Sequence, residues 1–108
     1  MTYQNNEGTV APTTADEEAN APDIQVDATN GKLGKNNESW AQILENTVLT
    51  LPGVPEGATL TFSLYDTTAL TIDGVAYTDG QTYTTTKDKD VVMTCTTGGY
   101  IKTITVVG

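Results

Sequence analysis

The fold is decided by the stretch from Pro55 to Val107, PEGATLTFSLYDTTALTIDGVAYTDGQTYTTTKDKDVVMTCTTGGYIKTITVV. Apolar and polar residues alternate within its short runs, as in Leu60-Thr-Phe-Ser-Leu64, which puts one set of side chains on each face of a strand. Asp73-Gly74 and Asp79-Gly80 separate such runs, and an Asp-Gly pair favours a two-residue hairpin turn. The stretch therefore predicts a small all-β sandwich of about six or seven strands.

The composition divides the chain into three predicted parts. Residues 1–37 have few large apolar side chains and many Asn, Thr, Asp and Glu residues, so we expect an extended acidic arm that would be disordered alone. Residues 38–46 are predicted to form a short helix at the junction. Residues 47–108 are predicted to be the β-sandwich domain, and their many threonines suit a half-exposed pleated surface.

The helix prediction rests on the segment ESWAQILE, residues 38–45. Ser39 and Gln42 fit a capping box. Trp40, Ile43 and Leu44 are spaced i, i+3 and i+4, which places them on one helical face. Two helical turns do not persist in water without packing, so we expect Trp40 to dock either on the domain or on a partner.

Five residues are predicted to contact a partner. Ile24 and Val26 form the one apolar alternation of the arm, which is typical of a strand that adds to an exposed sheet edge. Trp40, Ile43 and Leu44 would contribute the apolar face of the helix, with Trp40 as an anchor.

The net charge and the residue types present restrict the classes of function that the chain can have. The chain of 108 residues has a net charge of −9, with five lysines, no arginine and no histidine. Nucleic-acid binding needs a basic surface, and general acid–base catalysis usually recruits histidine, so we expect neither nucleic-acid binding nor enzyme activity. Neither a signal peptide nor an apolar run of membrane-spanning length of ~20 residues is recognisable. We therefore expect synthesis in a cytoplasm without export, and no membrane contact.

A single cysteine, Cys95, alternates with Val91 and Met93 on one strand face. One thiol cannot form an intramolecular disulfide, and a reactive thiol needs cationic neighbours. We therefore predict a buried, inert thiol. Zinc sites need sets of Cys and His, and we expect no metal and no cofactor.

The turn chemistry resembles PEGA-type and related immunoglobulin-like β-sandwich modules. The matching segments are Pro55-Glu-Gly-Ala58, Ile72-Asp-Gly74, Asp79-Gly-Gln-Thr-Tyr83 and Gly98-Gly-Tyr100. The resemblance implies a non-catalytic display or contact domain of the kind found in structural proteins of tailed phages. It leads us to expect a head-decoration or capsid-stabilising protein located in the virion, whose arm lies along the major capsid protein or other virion subunits.

An alternative function is a carbohydrate- or cell-surface-binding module. Tyr65, Tyr77, Tyr83 and Tyr100 are candidates for a sugar-binding platform, although tyrosine on a strand more often serves in packing. Whether copies associate as dimers or trimers through their threonine-rich edges stays open at this point.

Overall fold

The computed structural model describes residues 2–5, 10–12, 25–35 and 41–107, and these residues are all-β, without a helix. The strands in chain order are β1 (Thr2–Asn5), β2 (Val10–Pro12), β3 (Gln25–Asp27), β4 (Leu33–Lys35), β5 (Ala41–Ile43), β6 (Val48–Val54), β7 (Thr59–Tyr65), β8 (Ala69–Ile72), β9 (Val75–Tyr77), β10 (Thr82–Thr84), β11 (Lys89–Thr97) and β12 (Gly99–Val107).

The strands form two antiparallel sheets. Sheet A has the order β10-β7-β12-β1-β2, and β5 pairs with the first part of β12 and with β4. Sheet B has the order β3-β6-β11-β8-β9. The prediction of an all-β chain is thus confirmed, and its two layers are two antiparallel sheets.

One hydrophobic core lies between the sheets. The side chains of Leu60, Phe62 and Leu64 on β7 point into it, as the alternation predicts. The remaining members come from both sheets: Ile43, Leu49, Leu51, Val54, Ala58, Leu70, Ile72, Val91, Met93, Cys95, Ile101, Ile104 and Val106. Burying this apolar surface is the main force that holds the sheets together, at roughly 25 cal/mol per Å².

The two Asp-Gly pairs make different turns. Asp73 (φ 50°) and Gly74 (φ 81°) both have positive φ, as a type I′ turn requires, and they join β8 to β9 in the predicted hairpin. After Asp79-Gly80 the chain instead crosses to the other sheet, because β10 pairs with β7.

The last two strands belong to different sheets and are separated by one residue, Gly98. A Cβ atom at Gly98 would lie 3.2 Å from the carbonyl oxygen of Ile43 and 3.3 Å from the nitrogen of Glu45. The chain therefore turns this corner in close contact with the segment that follows β5.

Bulges adjust the strands to the core. Ile101 and Ile104 are three residues apart, yet both are fully buried, because the register shifts between Ile101 and Thr103. A second register shift brings Gly53, at φ 66°, opposite Asp90, whose carboxylate accepts a hydrogen bond of 2.9 Å from the Gly53 amide. Such extra residues bend a strand and change which side chains face inward.

The prediction of a helix over residues 38–46 is wrong for its described part. Ala41–Ile43 is strand β5, paired with β4 and β12, and a turn follows at Glu45–Asn46. The side chain of Ile43 enters the core, and a strand with neighbours on both sides gains main-chain partners that an isolated two-turn helix lacks. Asn46 does adopt the left-handed conformation (φ 75°), but in this turn.

Within the predicted arm, β1, β3 and β4 pair with later strands of the chain, whereas β2 pairs with β1. β1 lies antiparallel to the second half of β12, and β3 lies antiparallel to β6. The division of the chain at residues 37 and 46 stays a prediction. No helix in the described part of the chain is long and apolar enough to cross a membrane.

A candidate ligand-binding groove and the adjoining tyrosine–threonine face

An open groove of about 590 Å³ lies where the chain turns from β11 in sheet B to β12 in sheet A. Its walls combine amide, carboxylate and aromatic side chains with three glycines: Asn30, Gly31, Gln42, Leu44, Glu45, Gly98, Gly99 and Tyr100. The groove is open and much of its lining is polar, so it offers hydrogen-bond partners beside the Tyr100 ring.

Thr47 holds one wall of the groove in place. Its fully buried hydroxyl accepts a hydrogen bond of 2.9 Å from the amide of Lys32 and donates one of 2.8 Å to the carbonyl of Leu44. Gly31 packs directly on this residue, and a Cβ there would lie 2.6 Å from the Thr47 backbone nitrogen. The loop that carries Asn30 is thereby fixed against the turn that carries Leu44.

Thr68 holds the backbone of Tyr100, which also lines the groove. Its buried hydroxyl donates a hydrogen bond of 2.6 Å to the carbonyl of Tyr65 and accepts one of 2.9 Å from the amide of Tyr100. The end of β7 and the start of β12 are thus tied together. The rings of Tyr65 and Tyr100 meet edge to face, with centroids 5.7 Å apart at an angle of 82°.

The register of sheet A places this tyrosine pair on the outer face of the sheet. Tyr100 lies opposite Tyr65 on one side and Gln42 on the other, and directly opposed residues share a face. Their chain neighbours Leu64, Ile101 and Ile43 are buried, so the row points away from the core.

The same outer face continues as rows of hydroxyl groups along β7, β10 and β12. Thr61 lies between Thr82 and Thr105, Thr103 lies opposite Ser63, and the hydroxyls of Thr59 and Thr84 are 3.1 Å apart. We call the surface formed by the tyrosine pair and these rows the tyrosine–threonine face; its residues are Thr59, Thr61, Ser63, Tyr65, Thr82, Thr84, Tyr100, Thr103 and Thr105.

Glu45 is the one charged residue among the eight that line the groove. Its negative charge also helps to raise the pKa of the nearby Cys95 thiol from 9.0 to about 11, although burial is the larger cause. Cys95 is fully buried, as predicted. Burial favours the uncharged thiol, so this side chain lacks the thiolate character that a nucleophile needs.

The predicted partner-binding residues fall in different surroundings. Val26 on β3 is 37% exposed and Leu44 is 41% exposed at the groove. Ile43 is fully buried in the core, so its side chain is not available to a partner. Ile24 and Trp40 lie outside the described residues.

The four candidate tyrosines also separate into two kinds. Tyr77 packs on the Phe62 ring (centroids 5.6 Å apart) and on Tyr83 (5.7 Å), and Lys89 donates a hydrogen bond of 3.3 Å to the Tyr83 hydroxyl. These two tyrosines cover the core. Tyr65 is 54% exposed, and its ring contacts that of Tyr100 on the outer face of sheet A.

No group of three or more His, Cys, Asp or Glu residues in the described ranges is arranged to hold a metal ion. Several aspartates instead bind backbone amides: the carboxylates of Asp88 and Asp79 accept hydrogen bonds of 2.8 Å from Glu56 and 3.0 Å from Leu64. These carboxylates hold loops and strand ends.

Comparisons of the chain with protein-family models, with curated proteins and with solved structures found no match.

Proposed function

We propose that this chain is a non-enzymatic structural protein of a virion, which decorates or stabilises a phage capsid. The sandwich would be of the immunoglobulin-like type that the PEGA-type resemblance implies. The front third of the chain would contact the major capsid protein or other virion subunits, and the β-sandwich would project from the particle.

The observation that carries the proposal is the position of Val26. It lies on β3, a three-residue strand at the edge of sheet B among the described strands, and all three of its residues are exposed. Val26 lies opposite the core residue Leu49, yet its side chain is 37% exposed. An edge strand offers unpaired backbone groups to a partner strand, and Val26 adds an apolar contact of the kind that strand addition uses.

The test compares two substitutions on opposite edges of the same sheet. Val75 on β9 is also exposed, at 55%, at the other edge of sheet B. We expect Val26→Asp to reduce the number of copies bound per phage head, whereas Val75→Asp should leave it unchanged. The measurement is co-sedimentation of each purified variant with heads that lack the protein. Equal binding of the two variants would contradict the proposal.

A further inference from the structure

We propose that the groove and the tyrosine–threonine face form one binding site for a neutral oligosaccharide. The inference does not rest on the virion proposal, because it concerns the outer face of sheet A and not the edge of sheet B.

The aromatic part of the site fits the apolar face of a sugar ring. Tyr65 is half exposed, and its edge-to-face contact with Tyr100 holds both rings in place. Tyrosine supplies a rigid apolar surface and a hydroxyl that donates and accepts hydrogen bonds. Because the Thr68 hydroxyl ties the backbones of both tyrosines, the platform is already formed without a ligand.

The polar part of the site fits sugar hydroxyls. Asn30 and Gln42 in the groove carry both donors and acceptors, and Glu45 carries acceptors. Beyond the tyrosines, the rows of threonine hydroxyls extend the polar surface. Tyr65 and Thr61 are four residues apart on β7, and the rise per residue of a strand separates them by about 14 Å. The site therefore suits a chain of sugars better than a monosaccharide.

The charges select against acidic sugars. Glu45 is the one charged residue among the described residues that line the groove, and the whole chain carries a net charge of −9. Two exposed lysines adjoin the site, because Lys32 follows Gly31 and Lys102 lies between Tyr100 and Thr103 on β12. The net negative charge of the chain still disfavours a uronic or sialic acid, whereas it does not repel a neutral sugar. The expected ligand is therefore an uncharged oligosaccharide.

The experiment is an NMR titration of the full chain with neutral trisaccharides of glucose, galactose, mannose and N-acetylglucosamine, and with trigalacturonate. We expect at least one neutral probe to shift the amide signals of Gln42, Tyr65 and Tyr100, with a Kd in the millimolar range or tighter. Tyr65→Ala and Tyr100→Ala should each weaken that binding about tenfold or more, which corresponds to the loss of one stacking contact.

A matched pair of isosteric substitutions tests the hydroxyl rows. Thr61→Val removes a hydroxyl from the outer face of sheet A, and Thr50→Val removes one from the outer face of sheet B, where Thr50 lies opposite Val92. We expect the first change to weaken binding about threefold and the second to have no effect.

Four results would each overturn the inference. The amide signals of Gln42, Tyr65 and Tyr100 would not shift with any neutral probe up to about 10 mM, or the shifts would lie on sheet B. Alternatively, trigalacturonate would bind more tightly than the neutral probes, or folded tyrosine variants would bind normally.

Discussion

The hydroxyl of Thr47 accepts a hydrogen bond of 2.9 Å from the backbone amide of Lys32, fifteen residues earlier in the chain. Thr47 is fully buried, and its hydroxyl also donates to the Leu44 carbonyl. This one side chain therefore joins the loop before β4 to the turn after β5, and it shapes the groove.

Replacement of Thr47 by valine should destabilise the protein. The isosteric change keeps the packing but leaves the Lys32 amide and the Leu44 carbonyl without this partner, which costs about 1–3 kcal/mol for a buried group. Thr47→Ser keeps the hydroxyl and should cost less, roughly 1 kcal/mol for the lost methyl group. Urea unfolding of both variants measures the difference, and a serine variant less stable than the valine variant would contradict the assignment.

Gly31 should tolerate no side chain. An alanine Cβ would lie 2.6 Å from the Thr47 nitrogen and 2.9 Å from its Cα, so backbone must move, at a cost of about 3 kcal/mol. Gly57 is the control, because it has space around it but a φ of 80°, and Gly57→Ala should cost only about 1 kcal/mol. Thermal unfolding compares the two, and an equal or smaller loss at Gly31 would show that the loop is not held against Thr47.

Tyr77 should matter for stability and not for sugar binding. Its ring packs between Phe62 and Tyr83, so Tyr77→Ala should lower the free energy of unfolding by about 2–3 kcal/mol. Tyr65→Ala, at a half-exposed position, should cost about 1 kcal/mol or less. If the Tyr77 variant were as stable as the wild type, or lost sugar binding while folded, the separation of the tyrosines into two kinds would be wrong.

The Cys95 thiol should make stability fall at alkaline pH. Its pKa is raised from 9.0 to about 11 in the folded protein, so the unfolded chain loses its thiol proton first. The resulting stabilisation is fully present below pH 9 and is lost as the pH rises from 9 to 11, at no more than about 1.4 kcal/mol per pH unit. A Cys95→Ala variant lacks this contribution, so its unfolding free energy should fall less steeply over the same range. Parallel pH profiles of the two proteins would contradict a buried thiol.

The strands of residues 47–107 follow from sequence because their signals are local. Alternation identifies β7 and β11, and Asp73-Gly74 identifies the β8–β9 hairpin. The helix prediction failed at Ala41–Ile43 because the same few residues satisfy a helical spacing and a strand alternation. What decided between them was pairing with β12, nearly sixty residues away in sequence.

The groove could be predicted only in part. The tyrosines were recognisable as candidates, but the contact of Tyr65 with Tyr100 depends on the register between β7 and β12. Gln42 and Glu45 carry no local signal for a site. They reach the groove because β5 pairs with β12 at the point where the chain changes sheets. The Gly98-Gly99 pair at this point equally favours a hairpin.

The proposed virion role is tested most directly by quantitative mass spectrometry of virus particles purified from a culture that produces this chain. We expect many copies per particle, in a fixed ratio to the major capsid protein and retained after washing in high salt. Abundance of the chain in the lysate of the same culture, together with its absence from the purified particles, would contradict the proposal.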